Sequence, residues 1–240
     1  MKVIVLGSGI VGVTTAYFLA RSGHEVVVLD KSSSSALGCS YANGGQLSYS
    51  HIETWAQSNS AFASLKTLLK AQSLSEFSNK KLWQWIWQFY KNSNPQKARQ
   101  NSENIFKLSS FSKSMMTSIM EQENDIKFDY KNDGILHFYR DKKKFDAALK
   151  DVEFFSEIGR SAQILSAEDC VKKEPTLVKL LDEKKLVGGI FYEMDASGNC
   201  AAFAKALEKI CREKYGVHFE YNAEVENILT NHKKITGINT

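Results

Sequence analysis

Several patterns that mark other classes of protein are missing from this chain of 240 residues. Its four cysteines, Cys39, Cys170, Cys200 and Cys211, form no C-x-x-C pair and lack metal-ligand spacing. We therefore expect no metal site, and reduced thiols such as cytoplasmic proteins carry. No window approaches the run of about 18 apolar residues that a membrane span needs, and no signal peptide pattern precedes the first apolar run. We expect a cytoplasmic protein, either soluble or bound peripherally to the inner face of the cell membrane.

Basic and acidic residues are interspersed along most of the chain. The 31 Lys and Arg residues against 27 Asp and Glu give a net charge of +4, and short basic pairs such as Lys184-Lys185 lie among acids. This distribution indicates solvated faces and excludes a nucleic-acid groove. The sequence also contains no internal repeats, no low-complexity linker and no Ser/His/Asp triad.

The chain does have an ordered glycine pattern at its start. An apolar run, Val3–Leu6, leads into Gly7-x-Gly9-x-x-Gly12, and a second apolar run ends at Asp30. Gly7 permits a tight turn, Gly9 lets a diphosphate approach the backbone, and Gly12 lets the helix pack closely on the sheet. The helix N-terminus attracts phosphate, and the Asp30 carboxylate can accept ribose hydroxyls. These features predict a dinucleotide-binding βαβ unit; the alternative is a glycine-rich turn in an ordinary α/β domain.

The pattern after Asp30 favours a flavin over a nicotinamide nucleotide. An NAD-type domain would continue with alternating helices and buried strands, whereas here a Ser/Gly segment is followed by about ninety residues without a Val/Ile-rich strand. Strand and helix patterns of the α/β type resume near residue 186. We therefore predict an α/β fold in which a Rossmann-like domain is discontinuous and holds an inserted α+β domain with an antiparallel sheet. A nicotinamide dehydrogenase is the less favoured alternative.

The predicted boundaries are residues 1–52 for the first part of the nucleotide domain, 53–195 for the inserted domain and 196–240 for the second part. Within the insert, residues 126–130 and 135–139 flank Asn132-Asp133-Gly134, which predicts a β-hairpin. Residues 61–72 and 97–124 have helical spacing of their apolar side chains.

Several segments together resemble the FAD-dependent D-amino acid oxidase superfamily, and within it the bacterial D-amino acid dehydrogenases. The segments are the glycine motif with Asp30-Lys31, the loop S-Y-A-N-G-G-Q at 40–46, Glu174-Pro175, Gly188-Gly189, and D-A-S-G-N-C at 195–200. The resemblance covers essentially the whole chain. It implies FAD as cofactor, a D-amino acid as substrate, oxidative deamination to a 2-oxo acid and ammonia, and a quinone-type electron acceptor.

The same resemblance implies the cofactor-binding residues. Asp30 and Lys31 would lie at the adenosine ribose, Asn43, Gly44, Gly45 and Gln46 along the isoalloxazine ring, and the backbone of Val225 at adenine. The diphosphate would be held by the span made of Val3, Ile4, Val5, Leu6, Gly7, Ser8, Gly9, Ile10, Val11, Gly12, Val13, Thr14, Thr15, Ala16 and Tyr17.

No catalytic residue is assigned from the sequence. In this family the flavin accepts hydride from the substrate Cα, so the protein positions the substrate and need not supply a nucleophile. A substrate carboxylate needs a cation, and Arg140 with its neighbour Tyr139, Tyr192 and His51 are candidates for the substrate site, each with a purely structural role as the alternative.

Family members are considerably longer than this chain, which implies an N-terminal fragment. We expect such a fragment to bind FAD weakly, to show little turnover alone, and to need a complementing C-terminal chain. Two other functions stay open: a glycine or N-methyl amino acid oxidase of the same superfamily, and a truncated non-catalytic flavin-binding remnant.

The segment from Lys80 to Lys91 holds three of the four tryptophans. On a helix, Trp83, Ile86, Trp87 and Tyr90 share one face, which Leu82, Trp85 and Phe89 widen. Only the side of Gln84 and Gln88 is polar. Two interpretations are open: a buried helix of the inserted domain, or a membrane-interface surface suited to a dehydrogenase that reduces a membrane quinone.

Overall fold

The computed structural model describes residues 1–54, 80–123, 126–232 and 234–240. The helical pattern predicted at 61–72 lies outside this part of the chain. Two compact units are present. Unit 1 comprises Met1–Leu47, Thr117–Gly134 and Asp195–Thr240, and unit 2 comprises Ser48–Met116 and Ile135–Met194. Residues 117–134 thus belong to the first unit, which the predicted boundaries did not foresee; those boundaries stay a prediction.

The helices and strands follow one another along the chain in mixed order. They are β1 (Lys2–Leu6), α1 (Ile10–Arg21), β2 (Glu25–Leu29), β3 (Gln46–Leu47), α2 (Lys80–Asn92), α3 (Pro95–Gln122), β4 (Ile135–Tyr139), α4 (Lys142–Ser156), β5 (Gln163–Leu165), α5 (Ala167–Lys173), a 3₁₀ turn (Pro175–Leu177), α6 (Val178–Asp182), β6 (Gly188–Tyr192), β7 (Ala196–Ser197), α7 (Cys200–Tyr215), β8 (His218–Glu220), β9 (Asn227–Asn231) and β10 (Lys234–Asn239).

The main sheet of unit 1 joins the two ends of the chain. Its strands are parallel and lie in the order β1-β2-β8. The register pairs Val5 with Val28 and Val28 with Phe219, and these three side chains are buried. On the opposite face of the sheet, Ile4 is 38 % and Leu6 48 % exposed. The predicted discontinuous Rossmann-like arrangement is therefore confirmed, with one sheet face covered and the other open.

Helices α1 and α7 pack against each other in unit 1. Val13, Ala16 and Tyr17 of α1 are fully buried. The Asn199 side chain caps α7 by accepting a hydrogen bond from the amide of Ala202 at 3.0 Å, and Gly216 ends it with φ +65°.

A buried carboxylate ties α1 to α7. Glu123, just after α3, accepts hydrogen bonds from the hydroxyls of Tyr17 and Tyr215, both at 2.9 Å, and from Lys214 Nζ at 2.8 Å. Burial raises the pKa of Glu123, but the hydrogen bonds from Lys214 and the two tyrosines outweigh it, so this pKa lies below its usual value. Glu123 is thus held ionised among its three donors.

Two small antiparallel pairs complete unit 1. Strand β3 pairs with β7, and β9 pairs with β10. Strand β9 starts at Asn227, so Val225 lies before it. The β9–β10 hairpin leaves Ile228, Leu229 and Ile235 exposed.

The sheet of unit 2 has the order β4-β6-β5 and is antiparallel throughout. The hairpin predicted across Asn132-Asp133-Gly134 is wrong. Residues 126–130 form no strand, Lys131 instead makes an isolated bridge to Ser197, and β4 pairs with β6. On β6, Gly188 and Gly189 have no side chains, which leaves room for Phe145 and Cys170 to pack there.

Helix α2 of unit 2 has no buried residue. Leu82, Ile86 and Phe89 are partly buried along one stripe. On the adjacent stripe Trp83, Trp87 and Tyr90 are 51 %, 61 % and 67 % exposed. The segment is helical as its spacing predicts, and it is not the buried helix that was one of the two interpretations.

Candidate nucleotide site

The turn between β1 and α1 is built on glycine conformations. Gly7 has φ +93°, which L side chains rarely adopt, and its amide donates to the Leu29 carbonyl at 2.8 Å. A Cβ on Gly12 would lie 1.8 Å from the Gly7 carbonyl oxygen. The helix therefore starts in direct contact with the strand that precedes it, as the spacing of the motif predicts.

The N-terminus of α1 is capped from a distant loop. Gly9 at the N-cap offers no side chain, and α1 has no acidic residue in its first turn. Instead the hydroxyl of Ser40 accepts a hydrogen bond from the Ile10 amide at 3.0 Å. Ser40 is 7 % exposed. One neutral oxygen thus lies where the partial positive charge of the helix favours an anion.

Asp30, at the end of β2, is held in place by three donors. Its Oδ2 accepts from the Ser8 amide at 2.6 Å and the Ser8 hydroxyl at 2.7 Å, and its Oδ1 accepts from the Ser32 amide at 2.8 Å. Partial burial raises the pKa of Asp30, but these hydrogen bonds lower it by more, so the carboxyl stays ionised at neutral pH. A carboxylate has about four acceptor positions, so Asp30 can still accept from a ligand.

A cavity of about 490 Å³ opens beside this turn. Its volume lies within the range of small-molecule and cofactor sites. Chain segments from both ends of unit 1 line it: Leu6, Gly7, Gly9, Leu29, Asp30, Lys31, Ser32, Leu37, Gly38, Cys39, Ser40, Ala223, Glu224 and Val225. The Asp30 amide donates to the Glu220 carbonyl at 3.0 Å, and the Ala223 amide donates to the Asp30 carbonyl at 3.0 Å. These bonds fix the C-terminal segment against the end of β2.

A second cavity, of about 400 Å³, lies in unit 1 on the loop from Ser40 to Gly45. Asp129, Lys131 and the segment 197–200 complete its lining. Asn43 Oδ1 accepts from the Gly45 amide at 2.9 Å, and the Gly45 carbonyl accepts from the Gly198 amide at 2.8 Å. A Cβ on Gly45 would lie 2.7 Å from the Gly198 carbonyl oxygen, so this contact requires glycine.

The predicted cofactor residues are divided between the two cavities and the elements that support them. Those lining the first cavity are Leu6, Gly7, Gly9, Asp30, Lys31 and Val225, and those lining the second are Asn43, Gly44 and Gly45. Gln46 lies in β3 beside the second group. The remaining residues line neither of these two cavities and support the turn from β1 and α1; they are Val3, Ile4, Val5, Ser8, Ile10, Val11, Gly12, Val13, Thr14, Thr15, Ala16 and Tyr17.

The substrate candidates lie in unit 2, and two of them, Tyr192 and His51, lie beside a buried ion pair. Arg160 is 1 % exposed, and its guanidinium lies 5.3 Å from the ring centre of Tyr192. It donates to Glu53, which lies 3.4 Å from Nδ1 of His51. Burial, followed by the charges of Glu53 and Asp151, raises the pKa of Tyr139. Arg140 is exposed on the same unit. The ion pair with Glu53 gives Arg160 a structural partner, and sequence patterns did not single it out.

Sequence reasoning missed several residues that line the first cavity. Ser40 is the most informative, because it both caps α1 and lines the two cavities. Its contact with Ile10 spans 30 positions, which no local pattern reveals. The only available signal was its place in the S-x-x-N-x-G-Q loop.

Two other features, a metal-binding cluster and a membrane-spanning helix, are absent from the part of the chain that the structure describes. No group of three His, Cys, Asp or Glu side chains there is arranged to hold a metal ion. Of the helices described, none combines the length and the apolarity required to cross a bilayer.

A parallel βαβ unit with a glycine turn, a helix N-terminus at a cavity and an acid after the second strand defines a dinucleotide-binding α/β protein. Residues 2–240 match the family described as DAO, FAD dependent oxidoreductase. The chain belongs to this family, and the predicted resemblance is confirmed.

The curated relatives include D-amino acid dehydrogenases. The proteins of that name from Neisseria gonorrhoeae and Neisseria meningitidis are each 33 % identical to this chain over 243 residues. The alignments cover 100 % of this chain and 57 % of each relative. This chain therefore spans little more than half the length of the relatives it matches.

Solved structures establish the fold. Glycine oxidase from Bacillus cereus is 19 % identical, with a TM-score of 0.63 over 99 % of this chain and 50 % of its own. L-amino acid deaminase from Proteus myxofaciens is 18 % identical, with a TM-score of 0.62 over 98 % of this chain and 41 % of its own. At these identities the likeness concerns the fold alone.

The turn fits a dinucleotide diphosphate by a test independent of the relatives. Gly9 has no Cβ at the helix start, and a Cβ there would approach the Ser40 hydroxyl to 3.3 Å. The space that a side chain would take is thus left between the backbone amides and the cavity. With Asp30 ionised at the same cavity, the residues present suit the adenosine diphosphate half of FAD.

Proposed function

We propose that this chain carries the FAD-binding part of a dehydrogenase that oxidises D-amino acids to 2-oxo acids and ammonia. The observation that carries the proposal is the glycine turn with its cavity at Asp30, in a chain 33 % identical to D-amino acid dehydrogenases over its whole length. The family membership supplies the redox cofactor, and the choice of a D-amino acid follows from those relatives.

The cofactor contacts are proposed from the two cavities. The first would hold the adenosine diphosphate half: the turn of the span Val3–Tyr17 would bind the diphosphate, Asp30 and Lys31 the ribose, and the Val225 backbone the adenine. The second would lie along the isoalloxazine, with Asn43–Gln46 offering backbone amides. The fixed hydrogen bonds of Asn43 and Gly45 support this role, because a rigid loop loses little entropy on binding.

The chemistry divides between cofactor and protein. When bound, FAD would supply the two-electron acceptor for the hydride of the substrate Cα, and water would hydrolyse the imino acid product to the 2-oxo acid and ammonia. The chain's own residues would bind and orient the cofactor. The α1 N-terminus would balance the charge of the diphosphate, and Asp30 would hold the ribose. No residue is assigned to proton transfer.

A quinone-type acceptor and a peripheral position on the cytoplasmic face of the membrane belong to the same proposal. Quinones dissolve in the bilayer, so a dehydrogenase that reduces them works at the membrane surface. The exposed tryptophans of α2 support this location.

A complementing C-terminal chain is the proposed protein partner. Parallel sheets normally have both faces covered, whereas Ile4 is 38 % and Leu6 48 % exposed on one face here. The relatives also contain further sequence beyond the aligned region, since the alignment covers 57 % of their length.

The first test is cofactor binding by the purified chain. Titration with FAD, followed by flavin fluorescence, is expected to show weak but saturable binding. Gly9→Val should abolish it, because the new side chain would fill the space beside the Ser40 hydroxyl. Val178→Ala is the control: this side chain of α6 is 48 % exposed and lines neither cavity, so its truncation should leave binding unchanged.

The second test is turnover. Together with the remaining C-terminal part of the Neisseria gonorrhoeae relative, the chain should catalyse D-alanine-dependent reduction of a quinone analogue. Peroxide formation from glycine or N-methyl amino acids would identify the oxidase alternative instead. Saturable FAD binding with no turnover of any amino acid would identify a non-catalytic flavin-binding module, and the absence of FAD binding in both preparations would refute the proposal.

A further inference from the structure

Helix α2 has two apolar stripes that differ in exposure. Leu82, Ile86 and Phe89 are partly buried, as one face of an amphipathic helix normally is. Trp83, Trp87 and Tyr90, at i, i+4 and i+7, are each more than half exposed. Three large aromatic side chains in one row on a protein surface mark an interaction site rather than scattered exposure.

The residue types on this outer stripe favour a lipid headgroup region over a second protein surface. Tryptophan and tyrosine combine an apolar ring with a polar tip, which suits the boundary between hydrocarbon and water. Lys91 Nζ lies 5.0 Å from the ring centre of Trp87, so a cation stands next to the aromatic row. A lysine in this position can bury its stem while its charge reaches the phosphates.

The charge of α2 is entirely of one sign. Lys80, Lys81 and Lys91 are its ionisable cations, and the sequence from Lys80 to Asn92 contains no acidic residue. Basic residues near a membrane surface are attracted to anionic lipids, at about 1 kcal/mol each. Such a helix is complementary to an anionic phospholipid surface.

The dimensions of α2 fix how it can meet a bilayer. Its 13 residues correspond to about 20 Å, well short of the roughly 30 Å hydrocarbon core. The next helix, α3, belongs to the same unit over residues 95–116 and exposes Leu108 and Phe111, at 68 % and 60 %. Unit 2 therefore presents aromatic and aliphatic side chains for shallow insertion, not for spanning.

We propose that α2 lies in the plane of an anionic phospholipid surface, with Trp83, Trp87 and Tyr90 inserted at headgroup depth and Lys80, Lys81 and Lys91 on the phosphates. The inference deepens the membrane location of the proposed function, and it identifies the contacting surface by its own chemistry. It requires neither bound FAD nor substrate.

Flotation of the purified full chain with vesicles tests this surface. Vesicles with about one-third phosphatidylglycerol should carry the chain, whereas pure phosphatidylcholine should carry much less. The triple variant Trp83→Ser, Trp87→Ser, Tyr90→Ser should lose at least about tenfold of the bound fraction. The matched control, Gln84→Ser with Gln88→Ser on the polar side of α2, should float like the parent chain. Circular dichroism establishes that each variant is folded.

A lysine variant separates the charge contribution from the aromatic one. Replacing Lys80, Lys81 and Lys91 with Gln should remove the preference for phosphatidylglycerol and the sensitivity to salt. Equal flotation of the folded triple variant and the parent chain would overturn the proposal. So would a failure of the parent chain to float, including the case in which light scattering shows a dimer that the triple variant abolishes. Because flotation needs no turnover, its outcome is independent of whether D-amino acids are oxidised.

Discussion

Helices α1 and α2 have nearly the same length, 12 and 13 residues, yet they are used in opposite ways. Helix α1 starts in contact with the turn before it, because Gly12 has no side chain, and its Tyr17 is fully buried. Helix α2 carries tryptophan and tyrosine, and no residue of it is buried. The comparison teaches that side-chain size alone does not decide how a helix is used, because a tyrosine of α1 is fully buried whereas the outer aromatic side chains of α2 stay at the surface.

The contact between α1 and β1 can be broken most severely at Gly12. Gly12→Val should lower the free energy of unfolding by at least about 3 kcal/mol, because its Cβ would lie 1.8 Å from the Gly7 carbonyl oxygen and backbone must move. Urea denaturation followed by circular dichroism measures the change. Gly38→Ala is the control, since no atom lies within 4 Å of its new Cβ; a stability loss as large as that of Gly12→Val would refute the close-packing explanation.

The attachment of α1 to α7 depends on the charge of Glu123. Glu123→Gln should cost about 2 kcal/mol at pH 7, since the amide replaces an ionised acceptor of three hydrogen bonds. The folded-state pKa of Glu123 is lowered, so its contribution is present above the unfolded value of about 4.3 and disappears as pH falls through the lower folded value.

The stability difference between parent and Glu123→Gln should therefore narrow as pH falls from about 5 to about 3. Denaturation curves at each pH give this difference directly. A gap that stays constant across that range would mean that Glu123 contributes by shape rather than by charge.

Asp30 tests whether the cavity beside α1 recognises a ribose. Asp30→Asn keeps the size of the side chain but replaces one carboxylate oxygen with an NH2 group. Fewer acceptor positions then remain for the Ser8 and Ser32 donors and for the ligand. FAD affinity should fall about tenfold, which corresponds to about 1.4 kcal/mol. Titration by flavin fluorescence measures it, and an unchanged dissociation constant would show that the carboxylate does not contact the cofactor.

The smallest effect is expected on the outer stripe of α2. Trp87→Ser should change the free energy of unfolding by less than about 0.5 kcal/mol, because the ring is 61 % exposed. Phe89→Ser, on the partly buried stripe, should cost clearly more. If both variants were equally destabilising in urea denaturation, the two stripes would not differ as their exposure indicates.

Local chemistry explains which elements the sequence could predict. The βαβ unit depends on a glycine turn, two apolar runs and an acid that all lie within the first 30 residues. Periodicity and capping patterns record this information directly.

Contacts between distant residues account for the failures. The turn signal at Asn132-Asp133-Gly134 is genuine in that Gly134 has φ +75°, but β4 pairs with a strand about fifty residues further on. Its true partner, β6, starts with two glycines whose space is filled by Phe145 and Cys170 from other helices. Ser40 escaped notice for the same reason, because its role depends on α1. The cofactor-binding roles of the residues in the two cavities stay predictions.

The pairing of β8 with β2 has a consequence for biosynthesis. About 190 residues separate these adjacent strands, and ribosomes add about 5–20 residues each second. The edge of β2 therefore waits roughly 10–40 s for its neighbour, and every residue of unit 2 is translated during that wait. A chaperone that shields an unfinished β-sheet during that interval would decide how much of the newly made polypeptide reaches its native state.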